Sequence, residues 1–265
     1  MDTMKKDIIR QAVRTNYGKV AQAGNSGCCP TASCCAPEGT SSADAVSVRL
    51  GYSNDDVSAV PEGANMGLGC GNPQAIASLK PGETVLDLGS GGGFDCFLAA
   101  RAVGETGRVI GVDMTPEMVS KARANAAKTE FRNVEFRLGE IEHLPVADNS
   151  VDVIISNCVI NLSPEKQKVF DDAFRVLKPG GRLAVSDVVA TAELPEEVKN
   201  DLVLHCGCMA GASLISDVEE MLRKSGFRNI RIQPKDESRE FIQTWAPGRN
   251  IEEYVVSATI EAKKP

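Results

Sequence analysis

Two patterns of apolar and polar positions divide the chain. Between residues 4 and 22, Ile8, Ile9, Val13 and Val20 recur at helical spacing, which predicts one amphipathic helix. From residue 83 onward, short apolar runs alternate with longer amphipathic stretches, and this alternation predicts strands and helices in turn. Residues 24–43 are rich in Gly, Ser, Thr, Pro and Cys and are predicted to form a loop.

The second pattern predicts a mostly parallel α/β sheet, because alternating strands and helices of this length form right-handed crossovers. The predicted strands are ETVLDLG, RVIGVD, NVEFRLGE, VDVIISN, RLAVSDV, RNIRIQP and EEYVVSATIEA. The predicted helices are FDCFLAARAVG, TPEMVSKARANAAKT, QKVFDDAFRVL and SDVEEMLRKSGF. Thr115 is the expected N-cap of the second of these helices, with Pro116 at its first position. A KPGG turn is expected to lead into the fifth strand.

Three regions follow from these patterns. Residues 1–72 hold the N-terminal helix and a cysteine-rich segment. Residues 73–190 form the ligand-binding core. Residues 191–265 hold helices that are expected to bind the second substrate, and the closing strands of the sheet. No apolar run approaches the ~18 residues that span a bilayer, and the start MDTMKKDIIRQ lacks the apolar stretch of a secretory signal. We therefore expect a cytoplasmic protein with no membrane partner.

Charge and cysteine content narrow the function classes. The net charge of −7 opposes nucleic acid as a partner, because phosphate backbones are bound by basic surfaces. The 9 cysteines are the unusual feature of the composition. In a reducing cytosol, cysteines serve metal binding or redox chemistry more often than disulfide scaffolds.

A glycine-rich turn directly follows the first strand of the core. It has the spacing D-x-G-x-G-x-G from Asp87 to Gly93, whereas a dinucleotide fingerprint would need glycine where Phe94 stands. An acid at the strand end can pair with a cationic amino group, and glycines let the backbone approach a ligand closely. Asp113 ends the second strand, where an acid can accept hydrogen bonds from both hydroxyls of a ribose.

The region from about Leu79 to Val188 resembles the class I S-adenosylmethionine methyltransferases. The resemblance rests on these two acids, the glycine turn and the segment RVLKPGGRLAVSD. The resemblance implies a Rossmann-like fold with a mostly parallel seven-stranded sheet whose last strand, EEYVVSATIEA, runs antiparallel. It also implies S-adenosyl-L-methionine as cofactor. The cofactor-binding residues that it implies are Asp87, Gly89, Ser90, Gly91, Gly93, Asp113, Met114, Glu140, Ile141 and Asn157.

Cysteines flank the position that a methyl acceptor takes in such a fold. Cys70 precedes the core, Cys158 follows the fourth strand, and Cys206 and Cys208 come after the fifth. Thiolates hold soft, thiophilic elements. Trivalent arsenic bound to three thiolates keeps a lone pair, which is nucleophilic without a general base. The two histidines belong to no serine–histidine–acid motif, so the cysteines favour a thiol-bound acceptor.

Here a more specific resemblance appears. Four stretches between about Arg49 and Gly226 are similar to segments of the arsenite methyltransferases. They are GLGCGNP, VLDLGSGGGFDCFLAA, SNCVINLS, and ELPEEV followed by CMAGA. The resemblance implies that arsenite and methylarsenite are methylated, for arsenic detoxification. It implies Cys158 and Cys208 as arsenic ligands, with Cys70 as third ligand or redox partner.

The remaining cysteines are expected to have other roles. Cys208 is preferred to Cys206 as the ligand because the family's cysteine directly precedes the Gly-Ala run. Cys96 on the first core helix is expected to be a packing residue. A redox role, with a thioredoxin- or glutathione-type thiol reductant, is expected of Cys28, Cys29, Cys34 and Cys35. A zinc site on these four thiols is the alternative.

Two other functions stay open on this information. A quinone or lipid head-group methyltransferase of the same fold would carry the cysteines as bystanders, and its activity would not depend on Cys158 or Cys208. A non-enzymatic, thiol-based metalloid sensor would bind arsenic without binding the cofactor. The presence of both Asp87 and Asp113 speaks against the sensor.

Overall fold

A seven-stranded sheet runs through the fold in the computed structural model, which describes residues 3–23 and 42–265. Its strands are β1 (Thr84–Leu88), β2 (Arg108–Asp113), β3 (Val134–Leu138), β4 (Val151–Asn157), β5 (Leu177–Ala190), β6 (Arg228–Lys235) and β7 (Val255–Lys263). Their order across the sheet is β3-β2-β1-β4-β5-β7-β6.

The pairings among β1 to β5 are parallel, whereas β7 runs antiparallel to both β5 and β6. The predicted Rossmann-like sheet, mostly parallel with an antiparallel last strand, is therefore confirmed. Because β1 lies between β2 and β4, the strand order switches direction at β1. Doubly wound sheets bind ligands at the carboxyl ends of the strands at such a switch point.

Helices cover both faces of this sheet. They are α1 (Thr3–Ala23), α2 (Ala43–Arg49), α3 (Asn54–Ser58), α4 (Gln74–Ala77), α5 (Phe94–Val103), α6 (Pro116–Ala126), α7 (Lys166–Val176), α8 (Glu196–Lys199), α9 (Leu202–Cys206), α10 (Ile215–Ser225) and α11 (Arg239–Ile242). Short 3-10 helices lie at Ile160–Leu162, Asp236–Ser238 and Ile251–Glu253. Within the described ranges, no helix combines the length and apolar character that crossing a membrane would need.

Successive side chains of the strands enter two apolar cores on opposite faces of the sheet. Leu86 and Leu88 enter one core, which Phe170 of α7 and Leu222 of α10 cover. Val85 enters the other, which α5 covers. Because both faces are buried, the central strands are short, nearly continuous apolar runs, which is why the sequence predicted them.

The KPGG segment is part of β5 rather than a turn that precedes it. The strand begins at Leu177, opposite Val151, and the pairing resumes two residues further along β4, at Val153 with Arg182. The extra residues form a bulge, and Gly180 within it has φ +81°. Glycine is suited to this conformation because it has no Cβ.

Helix α6 begins where the sequence predicted, but its first turn is held differently. Thr115 is the N-cap and Pro116 the first residue, yet the Thr115 side chain makes no capping hydrogen bond. Instead, Thr115 N donates to Asp113 Oδ1 at 2.9 Å. The helix ends at Ala126 rather than at Thr129.

Replacing Gly93 by alanine is expected to destabilise the fold by about 2–5 kcal/mol, because backbone strain and overpacking add. Gly93 has φ +96°, and a Cβ there would lie 2.8 Å from Phe97 Cε2 and 2.8 Å from Phe136 Cζ. Gly248 is the matched control, since it has φ +77° but a Cβ there meets no atom within 4 Å. Urea unfolding should give Gly248→Ala only the backbone part, about 1–2 kcal/mol. Equal losses in the two variants would contradict this packing role.

Candidate active site

The carboxyl ends of β1, β2 and β4 open onto one large cavity. The glycine turn after β1 and residues between 113 and 118 after β2 line it on one side. Residues between 157 and 164 after β4, and residues 207–209 after α9, line another part. Helix α1, residues between 46 and 50, residues 64–69, residues 141–142 and residues between 241 and 245 also line it. Segments that are distant in the sequence therefore meet at this end of the sheet.

The glycine turn is tied to β2 by its backbone. Gly89 N and Ser90 N donate to Val112 O at 2.7 and 3.1 Å, and Gly91 N donates to Asp113 Oδ2 at 3.0 Å. A Cβ at Gly91 would meet no atom within 4 Å, so the turn presents bare backbone to the cavity. The Ser90 hydroxyl is buried and has no hydrogen-bond partner among the residues that the structure describes. It can bond to a ligand.

Three buried carboxylates border the same part of the cavity. Asp87, Asp95 and Asp113 are 3%, 8% and 9% exposed, and burial raises the pKa of each. The pKa of Asp95 rises to about 6 although the Tyr52 hydroxyl donates to its carboxylate at 2.8 Å. The charge of Asp95 raises the pKa of Asp87 further. A bound cation would relieve this repulsion, so the site favours a positively charged ligand.

Sequence reasoning missed both Asp95 and Tyr52. Asp95 follows the glycine turn at the start of α5, where acids commonly serve only the helix dipole. Tyr52 lies 43 residues earlier, in a span that the sequence left unassigned. Nothing local to either residue indicates that the two side chains meet.

Three thiols come together beside the cavity. The Sγ atoms of Cys70 and Cys158 and a carboxylate oxygen of Asp187 lie within 4.8 Å of one another. Cys208 Sγ donates to Cys158 O at 2.8 Å. Contacts with the Cys208 and Cys70 thiols, together with burial, raise the pKa of Cys158 well above its ordinary value. Cys158 and Cys208 line the cavity, and Cys70 is buried next to them.

The backbone is strained at two of these thiols. Cys158 has φ +59° and Cys208 has φ +65°. This left-handed region costs a residue with a Cβ about 1–2 kcal/mol. Strain of this kind clusters at functional sites, where the surrounding structure holds it in place. The strained backbone is a second feature, besides proximity, that singles out these two cysteines.

Neither of the other two cysteines that the structure describes lines the cavity. Cys206 is buried in α9 outside the cavity lining, and burial raises its pKa to about 11. Cys96 is fully buried in a core on α5, and its Sγ donates to Asp87 Oδ2 at 3.3 Å. The four cysteines of the predicted redox segment, Cys28, Cys29, Cys34 and Cys35, lie outside the described residues.

The predicted cofactor residues differ in how they lie relative to the cavity. Met114, Ile141 and Asn157 line the cavity, but Gly93 and Glu140 do not. Gly93 packs behind the turn, against the aromatic rings of the core. The Glu140 carboxylate forms ion pairs with two arginines of α1, Arg10 at 3.6 Å and Arg14 at 3.2 Å.

Helix α1 forms a wall of the cavity, which the sequence did not predict. Arg10, Val13 and Tyr17 line it. Arg10 Nη2 donates to Glu142 at 3.1 Å and to Glu165 at 2.7 Å. The amphipathic pattern predicted a helix, but it could not indicate which surface the helix covers.

Comparisons with known proteins bear on this site. The profile of the methyltransferase-domain family matches residues 79–226. The chain is 58% identical, over 97% of its length, to an arsenite methyltransferase of Halobacterium salinarum, and 42% identical, over 84%, to one of Aquipseudomonas alcaligenes. It spans 66% and 63% of these two relatives, which is about two thirds of their length.

A solved structure is also similar. It is the crystal structure of an arsenic(III) S-adenosylmethionine methyltransferase from Chlamydomonas reinhardtii, with a TM-score of 0.63 and 34% identity. The match covers 86% of this chain and 75% of that one.

The strain at the two cavity thiols predicts an inverted order of stability between glycine and alanine variants. Cys158→Gly and Cys208→Gly should each be more stable than the alanine variant, by up to about 1 kcal/mol, since alanine keeps the strained Cβ. Cys206 is the control, because it lies in α9. There alanine should be the more stable variant by about 0.5–1 kcal/mol. Urea unfolding of the six variants measures these stability differences. Alanine variants that are more stable than the glycine variants at all three positions would contradict the backbone strain.

Proposed function

The chain belongs to the methyltransferase-domain family, and from this premise we propose that it methylates trivalent arsenic with S-adenosylmethionine as the methyl donor. The observation that carries the proposal is the meeting of Cys70, Cys158 and Cys208 beside a cavity that a glycine turn and buried acids line. Similarity to arsenite methyltransferases over nearly the whole chain supports arsenite and methylarsenite as acceptors.

The residues around the glycine turn fit the proposed cofactor. Asp87, with Asp95 beside it, would pair with the cationic amino group, whose charge offsets the repulsion between these acids. Asp113 would accept hydrogen bonds from the ribose hydroxyls, because two backbone N–H groups already hold its carboxylate in place. Met114 and Ile141 offer apolar contacts to the base. When bound, S-adenosylmethionine supplies a methyl group on a positively charged sulfur.

The thiols would bind arsenic by exchange with its hydroxyl groups. Each S–As bond forms as an As–O bond breaks, and the thiol proton leaves on the departing hydroxide as water. Because contacts with the Cys208 and Cys70 thiols and burial raise the pKa of Cys158, this thiol would enter the exchange carrying its proton. Sulfur ligation leaves arsenic with its lone pair, so the chain has to position a nucleophile rather than deprotonate one.

The walls of the cavity would exclude water from this reaction. Val13 and Tyr17 of α1 lie on one side, and Phe241 and Trp245 lie on another. The ion pairs of Arg10 hold α1 against the loops after β3 and β4. The helix therefore contributes a cover as well as part of the lining.

Methyl transfer raises arsenic from the trivalent to the pentavalent state, so a further round requires two electrons. We assign this reduction to thiols, with Cys70 and the N-terminal cysteines as partners of a thioredoxin- or glutathione-type reductant. The N-terminal set is Cys28, Cys29, Cys34 and Cys35. Two thiols oxidised to one disulfide supply the two electrons.

Replacing Cys158 or Cys208 by serine should abolish methylation of arsenite, because a hydroxyl is a hard and poorly matched ligand for arsenic. The assay follows label from methyl-labelled S-adenosylmethionine into methylarsenicals in the presence of a thiol. Cys206→Ser is the matched control, since Cys206 is a buried thiol outside the cavity lining, and it should keep activity. Near-normal turnover by either Cys158→Ser or Cys208→Ser would refute the thiol-bound acceptor at that position. It would favour a bystander role for the cysteines.

Asp113→Ala should weaken S-adenosylmethionine binding while leaving arsenite binding nearly intact. The loss of a charged acceptor costs about 1.5–3 kcal/mol, or roughly 10- to 150-fold in affinity. Calorimetric titration with each ligand separates the two effects. Asp217→Ala serves as the control, because this aspartate lies exposed on α10. Equal weakening of both ligands in Asp113→Ala would mean that the residue only supports the fold.

A further inference from the structure

We propose that the thiol cluster and Asp187 also form a binding site for a thiophilic divalent cation of the Zn²⁺ or Cd²⁺ class. The cluster is made of Cys70, Cys158 and Cys208. The first two sulfurs and an Asp187 oxygen already lie within 4.8 Å of one another. Cys208 Sγ contacts the Cys158 carbonyl oxygen at 2.8 Å, so a third sulfur lies beside this group although not within it.

The donor set is what distinguishes this cation from arsenic. Trivalent arsenic is satisfied by three soft sulfurs, so it makes no use of a carboxylate oxygen. Zinc takes four ligands in a tetrahedron and accepts both thiolate sulfur and carboxylate oxygen, at about 2.3 and 2.0–2.2 Å. Three sulfurs and one oxygen complete that set. Asp187 is therefore a ligand that the proposed methylation does not require.

Asp187 is held in the orientation that a ligand needs. It is 2% exposed, and its Oδ2 accepts from Ile160 N at 2.9 Å. Its Oδ1 accepts from Val188 N at 2.8 Å and from Asn161 Nδ2 at 2.9 Å. A carboxylate has about four lone-pair sites, so these three bonds leave one for a metal ion. Outer hydrogen bonds of this kind fix the ligand and tune its affinity for metal.

A positive side chain compensates the charge of such a site. Three thiolates and a carboxylate outweigh the charge of one divalent cation, and an excess negative charge is costly to bury. Lys166, at the start of α7, is attracted electrostatically to both Asp187 and Cys208. Its ammonium group offsets part of the excess charge.

Because arsenic and the cation would share the same sulfurs, each should exclude the other. This competition rests on the proposed function, whereas binding of the cation does not. A divalent cation would then act as an inhibitor that competes with arsenite. Loading arsenite first should protect the site from the cation.

Cadmium titration tests the site, because cadmium–thiolate bonds absorb in the ultraviolet. The titration uses the full chain with Cys28, Cys29, Cys34 and Cys35 replaced by serine, so that these thiols do not contribute. One equivalent of Cd²⁺ should bind. Adding Cys70→Ser should lower the affinity at least tenfold, whereas adding Cys206→Ser should not change it. Undiminished affinity in both Cys70→Ser and Cys158→Ser would overturn the proposal.

X-ray absorption on the zinc-loaded four-serine protein tests the role of Asp187 first in the parent protein, with its side chain unchanged. Three sulfur neighbours at about 2.3 Å and one oxygen at about 2.0 Å are expected. The same spectrum should lose that oxygen in Asp187→Asn, and a shell without oxygen in the parent protein would exclude Asp187.

If the cation binds as described but no methylarsenicals form, the proposed function fails and the metal site stands. If methylarsenicals form but cadmium does not bind, the reverse holds.

Discussion

One amide side chain, Asn157, links the two halves of the candidate site. At the end of β4, its Oδ1 accepts from Cys70 N at 3.0 Å, and its Nδ2 donates to Gly71 O at 2.8 Å. The same Nδ2 donates to the Tyr52 hydroxyl at 3.0 Å, and Tyr52 in turn donates to Asp95. Asn157 therefore connects Cys70 of the thiol cluster to Asp95 of the buried acids. Their relative placement depends on the strand order, which brings β4 next to β1.

Groups that are unfavourable in the isolated protein collect where the chemistry is expected. Buried acids without a cation and two cysteines in left-handed backbone are unfavourable in the isolated protein. The apolar cores on both faces of the sheet supply the stability that tolerates them. A ligand that neutralises the acids, or an element that bonds to the thiols, would remove part of that cost. The charge and the thiols of the site therefore complement the cationic cofactor and the arsenic that we propose it binds.

The sequence predicted the parts of the fold that depend on local patterns. The strands, the five longest helices and the glycine turn followed from apolar runs and from Asp87 and Asp113. The grouping of Cys70, Cys158 and Cys208 followed from their places relative to the predicted strands and from the resemblance to the arsenite methyltransferases. Local patterns could not predict contacts between residues far apart in the sequence. Examples are the contact of Tyr52 with Asp95 and that of Arg10 of α1 with Glu142. The ion pairs of Glu140 with Arg10 and Arg14 of α1 are further contacts of this kind.

X-ray absorption at the arsenic edge of the arsenite-loaded protein tests the central claim most directly. The protein should carry Cys28, Cys29, Cys34 and Cys35 as serine, so that only the described thiols can contribute. The account predicts three sulfur neighbours and no oxygen, with one sulfur lost in Cys208→Ser. A first shell that contains oxygen in the parent protein, or a spectrum that Cys208→Ser leaves unchanged, would contradict it.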